Sequence, residues 1–212
     1  MNRRFDAHLF WGSYSPLSSL AGAGLIILAS ARFSFALICT GALIWVYGLT
    51  TLIYSGARSI MPKRGKTAVL LFLSAFTAGF FMLFTSLLNP LLVLGTGFFI
   101  VLIPPCCLGT SFYENIDSLD LIEVFSRSLL EAMVLGGIIL AFALIREPLG
   151  MGTLSFPGGA QGIVELFGGR GEDSFVLVRF FSVSAGALML LGYVVAMFRY
   201  FREQNGGIKE DR

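Results

Sequence analysis

The chain has 212 residues, of which 56% are hydrophobic and only 13% charged, with a formal net charge of +2 and a mean hydropathy of +0.81. Soluble domains carry about 25% charged residues, so the composition describes an integral membrane protein, and a charge balance this small excludes a nucleic-acid partner. Three cysteines and a single histidine, His8, exclude a disulfide framework and a histidine-rich metal site.

Spans of about 20 residues each let six helices nearly fill the chain, as one transmembrane domain with no soluble catalytic module. Helix 1 is expected over about Ala7 to Ala31, uncleaved, and interrupted at Pro16 within Gly12-Ser-Tyr-Ser-Pro16. Beyond the break, Ala21-Gly-Ala-Gly24 offers small residues for close helix approach. Helix 2 is expected over Ser34 to Tyr54 and helix 3 over Lys66 to Leu88, with the basic loop Arg58 to Lys66 between them. Asn89-Pro90 reads as a tight turn into helix 4. Helix 5 is expected over Val124 to Arg146, followed by a Gly-rich loop, 147–173, in which Gly152-Thr-Leu154 starts a surface or re-entrant turn. Helix 6 then runs from about Ser174 to Phe201, ahead of a polar tail, Arg202 to Arg212.

Lysine and arginine set the orientation. Arg3, Arg4, Arg58, Lys63, Arg64, Lys66, Arg199, Arg202, Lys209 and Arg212 fall on one side; Arg32, Arg146, Arg170 and Arg179 fall on the other. The richer side is read as cytoplasmic, which puts both termini there. Trp11, Tyr54, Tyr113 and Tyr200 fall near expected span ends as an aromatic belt, whereas Trp45 lies mid-helix and is expected to pack within the bundle.

Helix 4 carries the most informative stretch, Gly97-Phe-Phe-Ile-Val-Leu-Ile-Pro-Pro-Cys-Cys107. Pro104 and Pro105 cannot donate backbone hydrogen bonds, and in hydrocarbon such a break survives only where protein or a cavity covers it. Two thiols on that break, Cys106 and Cys107, are placed to hold a metal or cluster; the plainer reading is a kink with two inert buried cysteines. Breaks in the first and fourth spans, at Pro16 and at Pro104/Pro105, divide the chain into halves of three helices, about 1–88 and 89–201. With an odd number per half, the second inserts upside down, which points to a 3+3 inverted repeat in an all-α membrane fold.

Three stretches carry a resemblance. Gly97-Phe-Phe-Ile-Val-Leu-Ile-x-x-x-Cys107 resembles the fourth-helix motif of the paired membrane subunits of Rnf and Nqr electron-transport complexes. Arg146-Glu147-Pro-Leu-Gly150-Met-Gly152-Thr153-Leu is similar to the motif ending the fifth helix of the Rnf E-type and Nqr D-type subunits. Tyr14-Ser15-Pro16-Leu17 sits where those subunits carry Leu-Cys-Pro-Leu. The resemblance implies a subunit of an ion-translocating oxidoreductase in the bacterial inner membrane, paired with a homologous subunit of opposite orientation. Together the two would hold one [2Fe-2S] cluster that relays electrons across the bilayer, coupled to sodium or proton movement. NAD, ferredoxin, quinone and flavins would be handled by other subunits, so this subunit is not catalytic alone.

Ser15 stands at the position of the first family cysteine, and a hydroxyl is a poor cluster ligand beside a thiolate. Cys107 is retained, while Cys106 replaces an asparagine and is the weaker ligand candidate, since adjacent residues rarely aim at one iron. Altered ligation, a lost cluster and a structural role are the open readings. A transporter that holds a solute at its broken helices is the alternative of another class. Glu123, Arg127 and Glu131 are spaced along one face of helix 5, so Arg127 can pair with both carboxylates; an ion path at Glu131 is the competing reading. The acidic segment 113–123 reads as solvated loop, and Cys39 as a buried apolar filler. The glycines of 158–159 and 168–171 follow no nucleotide-binding pattern.

Overall fold

The computed structural model describes residues 20–58, 65–108, 121–158, 162–167, 180 and 183–207. Pro16, Ser15, His8, Trp11, Tyr113, most of the acidic segment 113–123 and Arg170 and Arg179 lie outside the described residues. The elements are, in order, α1 (Leu20–Ala29), α2 (Phe33–Ala57), α3 (Lys66–Leu88), α4 (Pro90–Val101), α5 (Ile103–Leu108), α6 (Leu121–Met151), β1 (Leu154–Pro157), β2 (Ile163–Phe167) and α7 (Ser184–Gly207). Among the described residues, four segments are long and apolar enough to cross a bilayer: α2, α3, α4 with α5 taken together, and α6. The chain is a multi-pass membrane protein.

Helix 3 has the limits expected of it, Lys66 to Leu88. The turn that follows works as its residues dictate: the Leu92 N–H donates to Asn89 Oδ1 at 3.3 Å, and Pro90 occupies the first turn, where no donor is needed. The expected break in helix 4 is also present. Pro104 and Pro105 leave the carbonyls of Ile100 and Val101 without their usual donors four residues on. The chain tightens at Leu102, whose N–H reaches Phe99 O at 3.1 Å, and α-type bonding resumes with Cys106 N–H to Leu102 O at 3.4 Å.

Two expectations are corrected. Helix 5 does not end at Arg146: α6 runs for 31 residues, from Leu121 to Met151, with Pro148 inside its last turns. At 1.5 Å per residue that is about 46 Å, longer than a hydrocarbon core of about 30 Å, so its ends reach past the core. The helix stops at Gly152, whose φ of +66° and N–H bond to Pro148 O at 3.0 Å make it a left-handed terminating glycine. The segment after it is not loop throughout. Leu154–Pro157 and Ile163–Phe167 pair as an antiparallel hairpin, with a register shift between Leu154 and Ser155, so the fold is helical with one short sheet. Gly162, at φ +80°, lies over the start of α4, where an added Cβ would meet Leu92 N at 3.3 Å.

The helix around which the others assemble is α2. Its partner α6 runs antiparallel to it: Phe33 meets Glu147, Thr40 meets Gly136, and Thr51 meets Ser128. The closest approach is at Gly136, where a Cβ would stand 2.5 Å from Thr40 Cγ2. Thr51 donates to Ser128 Oγ at 2.9 Å, and Thr50 shares a hydrogen bond of 3.1 Å with Thr77 of α3. Such bonds between membrane helices contribute about 0.6 kcal/mol on average. This packing places Arg32 and Arg146 at one end of the bundle and Arg58 and Lys66 at the other, the division that the loop charges predict.

The outer surface is apolar. Phe72, Phe76, Phe80 and Phe84 of α3 are all exposed, as are Leu91, Leu94 and Phe98 of α4, a band that belongs in lipid rather than water. Trp45 is half-buried: it packs on the core and stacks on that band, parallel to the rings of Phe80 and Phe84 at 6.3 and 6.4 Å. Tyr54 is not part of an aromatic belt: it is 4% exposed, enclosed with Leu70 and Val124.

The contact at Gly136 yields a prediction. Thr40 cannot swing away, because its Oγ1 donates to Ala36 O at 2.8 Å and its β-branch fixes χ1. Gly136→Ala should therefore cost about 1 to 3 kcal/mol, seen as a lower melting temperature in detergent. Thr40→Ser, which removes the obstructing methyl, should restore most of the loss in the double variant.

Candidate functional site

Two buried polar assemblies stand out, one at the end of the bundle and one near its middle. The first is built by Arg146 and Glu147, which the apolar periodicity of α6 carries to the end of α2. Both are almost wholly buried, at 3% and 1% exposure. Arg146 Nη1 donates to the Ile27 carbonyl at 2.6 Å and to Ser30 Oγ at 3.2 Å, closing the C-terminal end of α1. Glu147 Oε2 accepts from the Phe33 N–H at 2.6 Å, closing the N-terminal end of α2. Helix ends leave carbonyls at one terminus and N–H groups at the other without partners, and the macrodipole favours a cation at the first and an anion at the second. The adjacent Arg-Glu pair supplies each to the correct end of a single tight turn.

The rest of that motif supports the pair. Thr153 Oγ1 donates to Glu147 Oε1 at 3.4 Å, a long contact. Gly150 is buried in the last turn of α6, and Gly152 ends it. Ser155 of β1 meets Ser34, accepting from its N–H at 3.4 Å and donating to its hydroxyl at 3.3 Å. Phe156 packs on Phe33 with ring centroids 5.2 Å apart. Gly97 serves closeness of a different kind: a Cβ there would stand 3.0 Å from Met82 Cε, so glycine lets α4 lie against α3.

The second assembly lies at the proline break. Cys106 and Cys107 are 0% and 5% exposed, and Cys39 of α2 is 0% exposed; none of the three is in a disulfide. Being adjacent on α5, Cys106 and Cys107 take different neighbours. Cys39 lies within electrostatic reach of Cys106, whereas the Cys107 thiol faces the Tyr47 hydroxyl. Tyr47 is 1% exposed, and its oxygen meets no partner at the geometry of a formed hydrogen bond. Glu131 of α6 lies within electrostatic reach of both Tyr47 and Cys107.

Of the stripe expected on α6, the first ion pair is in place. Arg127 pairs with Glu123, Nη2 to Oε1 at 2.9 Å, on the half-exposed face. Glu131 lies a turn further along, half-buried, with one carboxylate oxygen sealed from solvent. Among the described residues, no group of three or more His, Cys, Asp or Glu side chains is placed to hold a metal ion. Any cluster at Cys107 therefore needs ligands from elsewhere, and Ser15 lies outside the described residues.

Sequence reasoning missed Tyr47 and the nearness of Cys39 to Cys106. Both are set by how α2 lies against α5, and no local spacing encodes that. The only trace in the sequence is that a tyrosine in the middle of an apolar span needs some polar company. No family model and no curated protein sequence matches the chain.

The clamp gives the second prediction. Glu147→Ala leaves the first N–H of α2 unsatisfied in a buried setting, and should destabilise the protein by about 2 to 3 kcal/mol. Glu147→Gln keeps an acceptor and should cost less. Arg146→Ala should resemble Glu147→Ala, since each uncaps one side of the same turn. Thermal unfolding of the purified variants in detergent ranks them.

Proposed function

We propose that the chain is a membrane subunit of an ion-translocating oxidoreductase of the Rnf/Nqr type, in the bacterial inner membrane with both termini cytoplasmic. It pairs with a homologous subunit of opposite orientation to form an electron path through the bilayer. The observation that carries this reading is the position of the two thiols. They follow directly on a helix break, and Cys107 faces Tyr47, near the middle of the 25-residue α2. A proline pair is a costly way to place inert side chains in a membrane core. It is a natural way to bring sulfur ligands to mid-depth while protein covers the freed carbonyls.

The 3+3 inverted repeat belongs to the same proposal. Two observations support it: α2 and α6, the second helix of each half, pack antiparallel along their length, and the first helix of the second half is the broken one. The Arg146-Glu147 clamp gives these two residues of the motif a structural task in this chain.

In this reading the chain offers a shared cluster one ligand, Cys107, and the remaining ligands come from elsewhere. In this reading Cys107 is the ligand, Cys106 the weaker candidate, and Ser15 marks a ligand position filled differently. When bound, a [2Fe-2S] cluster supplies a one-electron carrier at mid-membrane. The chain's own part is to hold the thiolate, exclude water with the apolar wall of α2 and α6, and keep the broken helix covered.

A second reading has one observation in its favour. Cys39 and Cys106 are wholly enclosed by this chain, facing inward, as they would in a scaffold subunit of the same complex that has dropped the cluster. Electron paramagnetic resonance of the reduced complex, purified anaerobically from its native membrane, separates the two. The conduit predicts a [2Fe-2S] signal from the membrane part that is lost in Cys107→Ala. An unchanged spectrum from an assembled Cys107→Ala complex would establish the scaffold instead.

A further inference from the structure

A carboxylate inside a membrane helix needs an explanation, because ionisable groups are rare there and costly unless protein meets them. Glu131 is such a group. It lies well inside α6, between Leu130 and Met133, two exposed apolar side chains of the bundle wall. The residue is half-buried, with one carboxylate oxygen sealed from solvent. Arg127, the cation one turn before it, is bonded to Glu123 at 2.9 Å.

The register of α2 against α6 brings a second polar group to the same place. Thr51 bonds Ser128, and Phe125 lies against Gly48, 3.6 Å from where a Cβ would stand. Tyr47 precedes Thr51 by four residues and Glu131 follows Ser128 by three. In antiparallel helices those steps run the same way, about 6 and 4.5 Å at 1.5 Å per residue. At about 100° per residue, Gly48 and Phe125 fall on one side of the Thr51–Ser128 contact, and Tyr47 and Glu131 on the other. Tyr47 is 1% exposed, and its hydroxyl has no partner at formed hydrogen-bond geometry. A buried donor and a membrane carboxylate thus share one level and one side of the seam, near the middle of α2. The other titratable groups on these helices are Cys39 and Tyr54 of α2, Cys106 and Cys107 of α5, and Glu123, Arg127, Arg146 and Glu147 of α6; α1 and α4 carry none, and α3 only Lys66 at its start.

We propose that Glu131 is a proton-binding site at mid-membrane: its carboxylate takes up one proton and releases it, and the Tyr47 O–H donates to the ionised form. Protonation forms an O–H bond on one carboxylate oxygen and leaves the group neutral, the state hydrocarbon favours. Ionisation restores the charge, which a charge-assisted hydrogen bond from Tyr47 offsets. A carboxylate and one hydroxyl offer far fewer oxygens than the roughly six that a hard metal cation takes, and among the described residues no group of three or more His, Cys, Asp or Glu side chains is placed to hold one. A proton needs no more than this pair. Protonation at Glu131 requires no cluster at Cys107, so it stands apart from the electron-path reading.

Carbodiimides couple to a protonated carboxyl and not to an ionised one, and a membrane-soluble reagent reaches Glu131 from its half-exposed edge. The test is labelling of the full chain in its native membrane with dicyclohexylcarbodiimide over a series of pH values, read at Glu131 by peptide mass spectrometry. Labelling should be present at neutral pH, fall as the pH is raised, and be indifferent to sodium at fixed pH. In Tyr47→Phe, which removes the donor and keeps the ring, labelling should persist to higher pH. A Glu131 label that does not change with pH, or no label at neutral pH, would overturn the proposal from the wild type alone, whether or not the variant folds. Protection by sodium at fixed pH would make this a metal-cation site and overturn it too. An unchanged profile in a folded Tyr47→Phe protein would return Tyr47 to packing and overturn the pair.

Discussion

The fold depends on one turn and on the two side chains that close it. Between α1 and α2 the chain reverses in three residues, Ser30 to Arg32, leaving carbonyls on one side and N–H groups on the other. In water such groups would be solvated; at the end of a packed bundle they must be met by protein. Arg146 and Glu147 do this together from the far end of the sequence, so the last turns of α6 are pinned to the first turn of α2. Once that end is fixed, the antiparallel register of the two helices follows, through Thr40 at Gly136 and Thr51 at Ser128.

That register is what brings the thiol cluster into being. Cys39 and Tyr47 are two turns apart on α2, and both need α5 against them to meet Cys106 and Cys107. The proline pair makes this contact possible, since a straight helix continuing α4 would carry the cysteines along a different line. Strain in the break is limited because the chain recovers at once: Leu102 tightens the turn and Cys106 restores the ladder. The site and the clamp are thus two ends of one packing arrangement around α2.

Much of this was legible beforehand, because hydrocarbon is a strict solvent. The limits of α3, the Asn89-Pro90 turn and the break at Pro104 follow from local chemistry, and the structure has them as read. The end of α6 was misread for a physical reason. Arg146, Glu147 and Pro148 look like a helix stop in isolation, yet tertiary partners satisfy the two charges and the last turn tolerates the proline. The β-hairpin was hidden in glycines that read as loop, although Ile-Val-Glu-Leu-Phe has the residues of a strand. Tyr54 was assigned to the membrane interface by its place in the sequence, but α3 and α6 cover it.

By itself, the sequence determined that the chain crosses a membrane, roughly where its helices lie, and that one is broken ahead of two cysteines. These are matters of transfer free energy and of backbone donors that proline lacks, and both act within a few residues. The tertiary structure alone decided that Arg146 and Glu147 cap two different helices across one turn. It alone decided that Arg127 pairs with Glu123, and that a tyrosine from the middle of α2 is enclosed in one core with Cys107. Those outcomes depend on helix register and on which faces meet, and register is fixed by the sum of contacts between segments about a hundred residues apart rather than by any one of them.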